Sequence, residues 1–238
     1  MFRYIYLILL VLTFTVFSEE KKWEVHIEFA YVKTSGNTQT DTMASKFNAD
    51  YELDKNRFYL KGETLYKKDD GKESANKVIT DGRWERVIHD DLFGFLNIRY
   101  EMDKFSGYEY RISGGPGVGY DIIERDDMNL KSLISVINYY DRFVDGERKS
   151  DSYSSSKVEL YFDWDIREDL KYRFDINYIV SLRDNQNYFL NGETGFEIKL
   201  NSVLSMGVSY KVNYQNKPPD PDIKRTDTTL LTSVIFDF

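Results

Sequence analysis

The sequence predicts an all-β fold: a transmembrane, antiparallel, up-and-down β-barrel of about twelve strands, with both termini on the periplasmic side. Three observations predict it. From Trp23 onward apolar and polar residues alternate with the period of two that side chains follow along an extended strand. Turn signals cut this alternation into short runs. Aromatics make up 16% of the chain, including 19 Tyr and 16 Phe, and they sort toward strand ends, as membrane–water interfaces select. A length of 238 residues suits one such domain.

The amino terminus is a different kind of segment. Arg3 precedes an apolar run from Tyr4 to Phe17, too short for a helix that needs roughly 20 residues to span a bilayer. With Val16 and Ser18 as small residues before a cut, residues 1–18 read as a cleaved signal peptide and 19–238 as a single barrel domain. Cleavage there moves the net charge from −8 to −9, an acidic balance that argues against nucleic acid as a partner. Absent cysteine excludes disulfide staples, thiolate catalysis and Cys-based metal centres.

Each strand follows from its alternation. The first sets Trp23, Val25, Ile27, Phe29 and Tyr31 against Glu24, His26 and Glu28; the second sets Met43, Phe47, Ala49, Tyr51 and Leu53 against Lys46, Asn48, Asp50 and Glu52. The third carries Phe58, Leu60, Gly62, Thr64 and Tyr66 opposite Lys61, Glu63 and Lys67, and a polar loop, Asp69 to Ser74, is expected after it. The fourth centres on Trp84 with Asp81, Arg83 and Glu85 opposite; the fifth backs Leu92 to Tyr100 with Asn97, Arg99 and Glu101. In the sixth, Tyr110, Ile112, Pro116, Val118 and Tyr120 oppose Arg111, Gly115, Gly117 and Gly119; those glycines let the wall bend or admit large opposing side chains. Pro116 lacks a ladder donor, so a bulge or kink is expected near it. The seventh, about Leu130 to Tyr140, has muddled alternation that suggests a bulge. The eighth to eleventh put Glu159, Arg173, Glu193 and Lys211 on the polar face, and the Pro-rich segment Gln215 to Asp222 leads into the last strand, which ends on Phe236 and Phe238.

The polar face is charged on nearly every strand. Facing lipid at mid-depth, each basic residue would cost on the order of 2–4 kcal/mol, so the apolar face must meet the lipid and the polar face the lumen. The expected lumen lining is Lys46, Lys61, Arg83, Glu85, Arg99, Glu101, Arg111, Glu159, Arg173, Glu193 and Lys211. The expected girdles include Tyr31, Tyr66, Tyr100 and Tyr214 at the outer ends and Trp23, Tyr120, Trp164 and Tyr172 at the inner ends. Tight turns are expected after strands two, four, eight and ten, and longer polar loops after three, seven and eleven. The terminal strand should pair with the strand starting at Trp23, because closure removes both sheet edges.

The Gly36–Thr38 motif, the R-x-x-G-G-P-G-x-G-Y run from Arg111 to Tyr120, and D-T-x-L at Asp227–Leu230 before the terminal Phe resemble the YdiY-like salt-induced outer-membrane protein family, a family of unknown function. The resemblance covers the chain from about Trp23 to the end. It implies an outer-membrane barrel and a link to salt or osmotic response, and it supplies no catalytic residues. In outer-membrane barrels an aromatic terminal strand is read by the insertion machinery, which gives Phe236 and Phe238 the role of an assembly signal.

Catalysis is not expected. A lipid-hydrolysing barrel needs a Ser–His pair at the lipid surface, and a proteolytic one a His–Asp pair among the outer loops. His26 reads as a paired lumen residue and His89 as a solvated turn residue, both toward the periplasmic end. Asp69–Asp70 and Asp220–Asp222 could offer carboxylates to a divalent cation but read better as solvated loop acids, so neither cofactor nor metal is expected. The loops look too short to fold inward as a constriction, leaving the wall charges to decide what passes. The expected protein is therefore a monomer in the outer membrane of a diderm bacterium, with membrane lipids and the barrel-insertion machinery as partners. Its expected function is a narrow channel or envelope component for ions and small polar solutes; a sealed structural or surface-binding barrel is the alternative, and a barrel hydrolase the last.

Overall fold

The computed structural model describes residues 23–34, 40–144, 149–220 and 222–238. The expected signal segment and the Gly36–Thr38 motif lie outside the described residues. Twelve antiparallel strands form one closed barrel, each paired with its sequence neighbours and the last with the first. They are β1 (Trp23–Thr34), β2 (Thr40–Leu53), β3 (Asn56–Asp69), β4 (Lys72–His89), β5 (Leu92–Asp103), β6 (Tyr108–Arg125), β7 (Met128–Phe143), β8 (Ser150–Arg167), β9 (Leu170–Ser181), β10 (Tyr188–Lys199), β11 (Leu204–Gln215) and β12 (Thr226–Asp237).

The connections differ between the two ends. On the end where β1 begins and β12 finishes, the termini of the barrel, they are short: 54–55, 90–91, 126–127, 168–169 and 200–203. At the opposite end they lengthen to 182–187 and 216–225. The polar loop expected after the third strand is instead a two-residue turn: Asp70 and Gly71 both take positive φ, 49° and 78°, the combination of a type I′ hairpin. D-G supplies that geometry directly, and the polar residues flanking it extend the ladder.

The charged alternation points inward and the apolar alternation outward. Trp23, Tyr31, Leu96, Ile98, Val118, Ile134 and Leu230 are among many large apolar side chains left exposed on the outer surface. An apolar belt of this extent is costly in water and is what lipid solvates.

The seventh strand corrects the expectation of a bulge. β7 keeps one register with β8 from Met128↔Trp164 to Arg142↔Ser150. Its pattern is muddled because Leu133, Ile137 and Tyr139 face inward, where they are buried against Phe93 and Phe95 or against Tyr153, Ile179 and Phe189. Near Pro116 the register also holds, from Gly114↔Asn138 to Gly117↔Ser135, and Gly115 and Pro116 simply lack partners on β7. The register shifts of β6 lie nearer its ends, at Tyr108/Tyr110 and Asp121/Ile123. The glycine row admits large side chains, as its spacing suggests. A Cβ on Gly119 would stand 2.2 Å from the Phe93 ring, and one on Gly117 2.2 Å from the Phe95 ring.

Candidate functional site

The inward side chains surround one cavity of ≈ 1590 Å³. Its lining includes Asp127, Glu168, Asp169 and Val203 at the end with the termini, and Ser106, Gln215, Ile223 and Lys224 at the other. The cavity therefore runs the length of the barrel. Of the eleven lumen residues read from the sequence, Lys46, Lys61, Arg83, Arg99, Glu101, Arg111, Glu159, Arg173, Glu193 and Lys211 line it. Glu85 lies behind that lining, with 0% of its surface exposed.

Three charge systems organise the wall. In the half nearer the termini, Glu85 holds Arg83 Nε at 2.9 Å, Arg57 Nε at 3.4 Å and Lys131 Nζ at 3.5 Å. None of these contacts has hydrogen-bond alignment, so the carboxylate acts as a charge hub. Arg57 also donates to Asp121 at 3.1 Å, while Arg83 and Lys131 lie over the Tyr59 ring. In the opposite half, Arg111 donates to both Asp141 oxygens at 2.8 and 3.0 Å and stacks over Tyr108. Tyr153 donates its hydroxyl to the same carboxylate at 3.1 Å, so Asp141 accepts three hydrogen bonds in this buried ion pair.

At mid-height the third system crosses the lumen. Lys46 on β2 pairs with Glu193 on β10 and lies 3.6 Å from Glu28; Lys211 on β11 donates to Glu63 on β3 at 2.6 Å and lies 3.8 Å from Glu193. The chain Glu28–Lys46–Glu193–Lys211–Glu63 thus clasps the barrel across the strands between, β12 and β1. Elsewhere Lys61 on β3 reaches over the Tyr161 ring of β8, 5.6 Å from its centre.

Sequence reading missed Arg57, Tyr59, Lys77, Asp121, Lys131, Asp141 and Tyr161. Arg57 and Tyr59 share the strand phase of Lys61, and that phase was the signal available for them. Lys131 and Asp141 were hidden by the apolar residues beside them on β7. The loop expectation also needs correction. The 216–225 segment reaches across the mouth: the position a Cβ would take on Gly107, between β5 and β6, is 2.8 Å from Ile223 Cδ1 and 3.3 Å from Pro219 Cγ. Gln215 Nε2 donates to Tyr108 Oη at 2.7 Å, joining β11 to β6. Pro219 and Ile223 bridge the gap to Gly107 as a strut.

The girdle aromatics stand at the strand ends. Trp23 stacks on Tyr51 at 4.5 Å, and Tyr100, Tyr110 and Tyr140 form a contiguous row at the opposite end. Tyr188 and Tyr214 pack on each other, Tyr172 packs on Phe196, and Tyr31, Tyr120 and Trp164 are exposed; Tyr66 stands half-buried. Phe236 pairs in register with Ile27, and Phe238 exchanges backbone hydrogen bonds with Val25. His26 Nδ1 lies 2.7 Å from Asp237 Oδ1, and exposed His89 sits 3.0 Å from Asp90. Among the described residues no group of three or more His, Cys, Asp or Glu could hold a metal. Asp69 pairs with Lys67 at 3.0 Å, and Asp220 accepts the Asp222 amide at 2.8 Å.

A closed twelve-strand barrel with an apolar exterior, aromatic end rows and a charged through-cavity defines a porin-like barrel of the outer-membrane type. Residues 27–238 match the family described as protein of unknown function, DUF481, and the chain belongs to that family. It is 22% identical over 217 residues to the uncharacterized protein YdiY of Escherichia coli (strain K12), covering 90% of this chain and 83% of that one. Among solved structures it is similar to the NanC porin, at TM-score 0.50 and 9% identity over 90% of this chain and 96% of that one. At that identity the likeness shows the fold alone.

Proposed function

We propose that the protein is a narrow, passive channel for ions and small polar solutes in the outer membrane of a diderm bacterium. The supporting observation is the large cavity whose lining reaches both ends of the barrel. In this reading the termini and short turns face the periplasm, residues 1–18 are removed on export, and the barrel works as a monomer without cofactor. Membrane lipids solvate the apolar belt, and the insertion machinery reads Phe236 and Phe238. The barrel is not an enzyme: His26 is committed to Asp237, and His89 stands in solvent beside Asp90. An accompanying role in salt or osmotic stress rests on the family resemblance alone.

A sealed envelope barrel is the second reading. It is favoured by the cross-lumen clasp and by the 216–225 strut over the mouth. Planar-bilayer recording of the refolded protein separates the two. The channel reading expects small discrete conductance steps that grow with salt activity, and silence across salts and voltages would remove it.

A further inference from the structure

The barrel is not laced evenly around its circumference. Between β1 and β12 the ladder registers His26↔Asp237, Ile27↔Phe236, Glu28↔Ile235 and Phe29↔Val234, with the Val25–Phe238 backbone bonds beyond, and there it stops. Continuing the register would set Ala30 against Ser233 and Thr34 against Thr229. Instead Ala30–Thr34 pair only with β2, and Thr229–Ser233 only with β11. Unsatisfied backbone groups are costly in hydrocarbon, so a half-open seam needs a polar or ligand partner to persist there.

Its surroundings differ from the rest of the wall. On the lumen side the seam is lined by Ala30, Ala44 and Leu231 packed with Leu65, a buried apolar strip separate from the two that face inward on the opposite wall. A small pocket of ≈ 30 Å³ adjoins it, lined by Ala44, Leu65 and Leu231, by Thr64, Asn213 and Thr229, and by the charged Lys46, Glu63, Lys77 and Lys211. On the outer face β12 presents exposed Thr226, Thr228, Leu230 and Thr232 in succession, three hydroxyls around one large apolar side chain. The direct path from outside is spanned by the 216–225 strut.

We propose that the unpaired half of the β1–β12 seam is a lateral portal, through which the apolar chain of a membrane amphiphile enters the barrel from the outer leaflet. The chain slides between Ala30 and Leu231 into the apolar strip. The clasp below it meets the polar head and stops passage further along the lumen. This inference rests on the membrane placement proposed above, and it requires no ion conduction.

The chain has no cysteine, so single cysteines report cleanly. The test uses full-length barrel refolded into phosphatidylethanolamine–phosphatidylglycerol vesicles and a maleimide carried on a sixteen-carbon alkyl chain. Leu231→Cys faces inward at the seam; Ile179→Cys faces inward behind β9, which is paired on both sides; Leu230→Cys faces outward. Since an unpaired segment opens locally at little cost, Leu231→Cys should label roughly tenfold faster than Ile179→Cys, and Leu230→Cys fastest. Thr229→Cys, at the same pocket, serves if Leu231→Cys fails to fold. Labelling of Leu230→Cys with no advantage of the seam cysteines over Ile179→Cys overturns the portal alone. Failure of Leu230→Cys to label overturns the membrane placement, and the portal with it. An intermolecular Leu231→Cys disulfide dimer, with the edges protected from amide exchange, would assign the seam to a second copy of the chain and also overturn it.

Discussion

The wall from β4 to β8 and the seam between β12 and β1 are built on opposite plans. In the first, β4, β6 and β8 run to 18 residues, and their inner face carries Glu85, Phe93, Phe95, Leu133, Tyr139 and Tyr161, side chains that fill the lumen from the wall. Glycines at 117 and 119 make room for the two phenylalanine rings. At the seam, β1 and β12 each run to 12 residues, share four registered pairs, and carry Ala30, Leu231 and Ser233 inside. Large inward side chains couple strands three or four apart, as Arg57 on β3 does to Asp121 on β6. Small ones leave the neighbours in that half of the seam to the backbone ladder, with His26–Asp237 and the clasp as the side-chain ties below. Rigidity in this barrel is therefore set by inward side-chain volume as much as by hydrogen bonding.

The largest test of that contrast is Glu85→Gln. The substitution conserves shape but leaves Arg57, Arg83 and Lys131 without their shared carboxylate in a buried site. Breaking a buried pair this way typically costs about 3–5 kcal/mol. Glu193→Gln in the clasp, with a quarter of the side chain exposed, should cost about 1 kcal/mol or less. Urea unfolding in lipid vesicles, read by heat-modifiable gel mobility, measures both. Equal losses would mean that the two regions do not differ as described.

A smaller effect is expected from Gly119→Ala. All three near contacts of the added Cβ are ring atoms of Phe93, at 2.2, 2.4 and 3.0 Å, so the wholly buried ring must move. Overpacking of this kind costs about 1–3 kcal/mol. The double variant with Phe93→Leu should recover part of the loss, since the two changes share one contact. Gly192→Ala, on the seam-side wall, meets only the Asp175 carbonyl at 3.6 Å and should be close to neutral. No recovery in the double variant would show that the glycine is required for backbone reasons instead.

How much of this was legible follows from which face carried charge. On β2 and β9 the inner face is polar and the outer apolar, so alternation alone placed Lys46 and Arg173 in the lumen. On β7 both faces are apolar over much of the strand, and period two cannot say that Leu133 and Ile137 look inward. That takes the knowledge that Phe93 and Tyr153 stand opposite them, which only closure of the barrel supplies. The partners of Glu85 come from β3, β4 and β7, so the hub is invisible in any one segment. The strut was hidden for a similar reason: a ten-residue Pro-rich segment suits an open loop equally well, until Gly107 on the far wall offers a surface without a side chain. The early end of the seam ladder left no trace, because the alternation of β1 and β12 continues unbroken past Phe29 and Val234.

The smallest expected effect concerns the polar contacts that the strut makes above the lumen. Two of them differ in kind. Gln215–Tyr108 is a neutral hydrogen bond, whereas Lys217 Nζ lies 2.7 Å from Asp184 Oδ2 in the loop between β9 and β10. The hydrogen bond from Lys217, then the backbone amide of Gln186, hold the Asp184 carboxyl below its ordinary value of 3.8. A depressed carboxyl contributes its tether fully above that ordinary value and loses it as pH falls through the lowered one. A nitroxide at Asn185→Cys should therefore keep constant mobility from neutral pH down to about 4 and loosen only below it. Lys217→Met should loosen it at every pH and abolish the acid step, while Gln215→Ala should loosen the strut and leave the step in place. An acid step that survives Lys217→Met would transfer the titration to another group and separate the strut from the Asp184 loop.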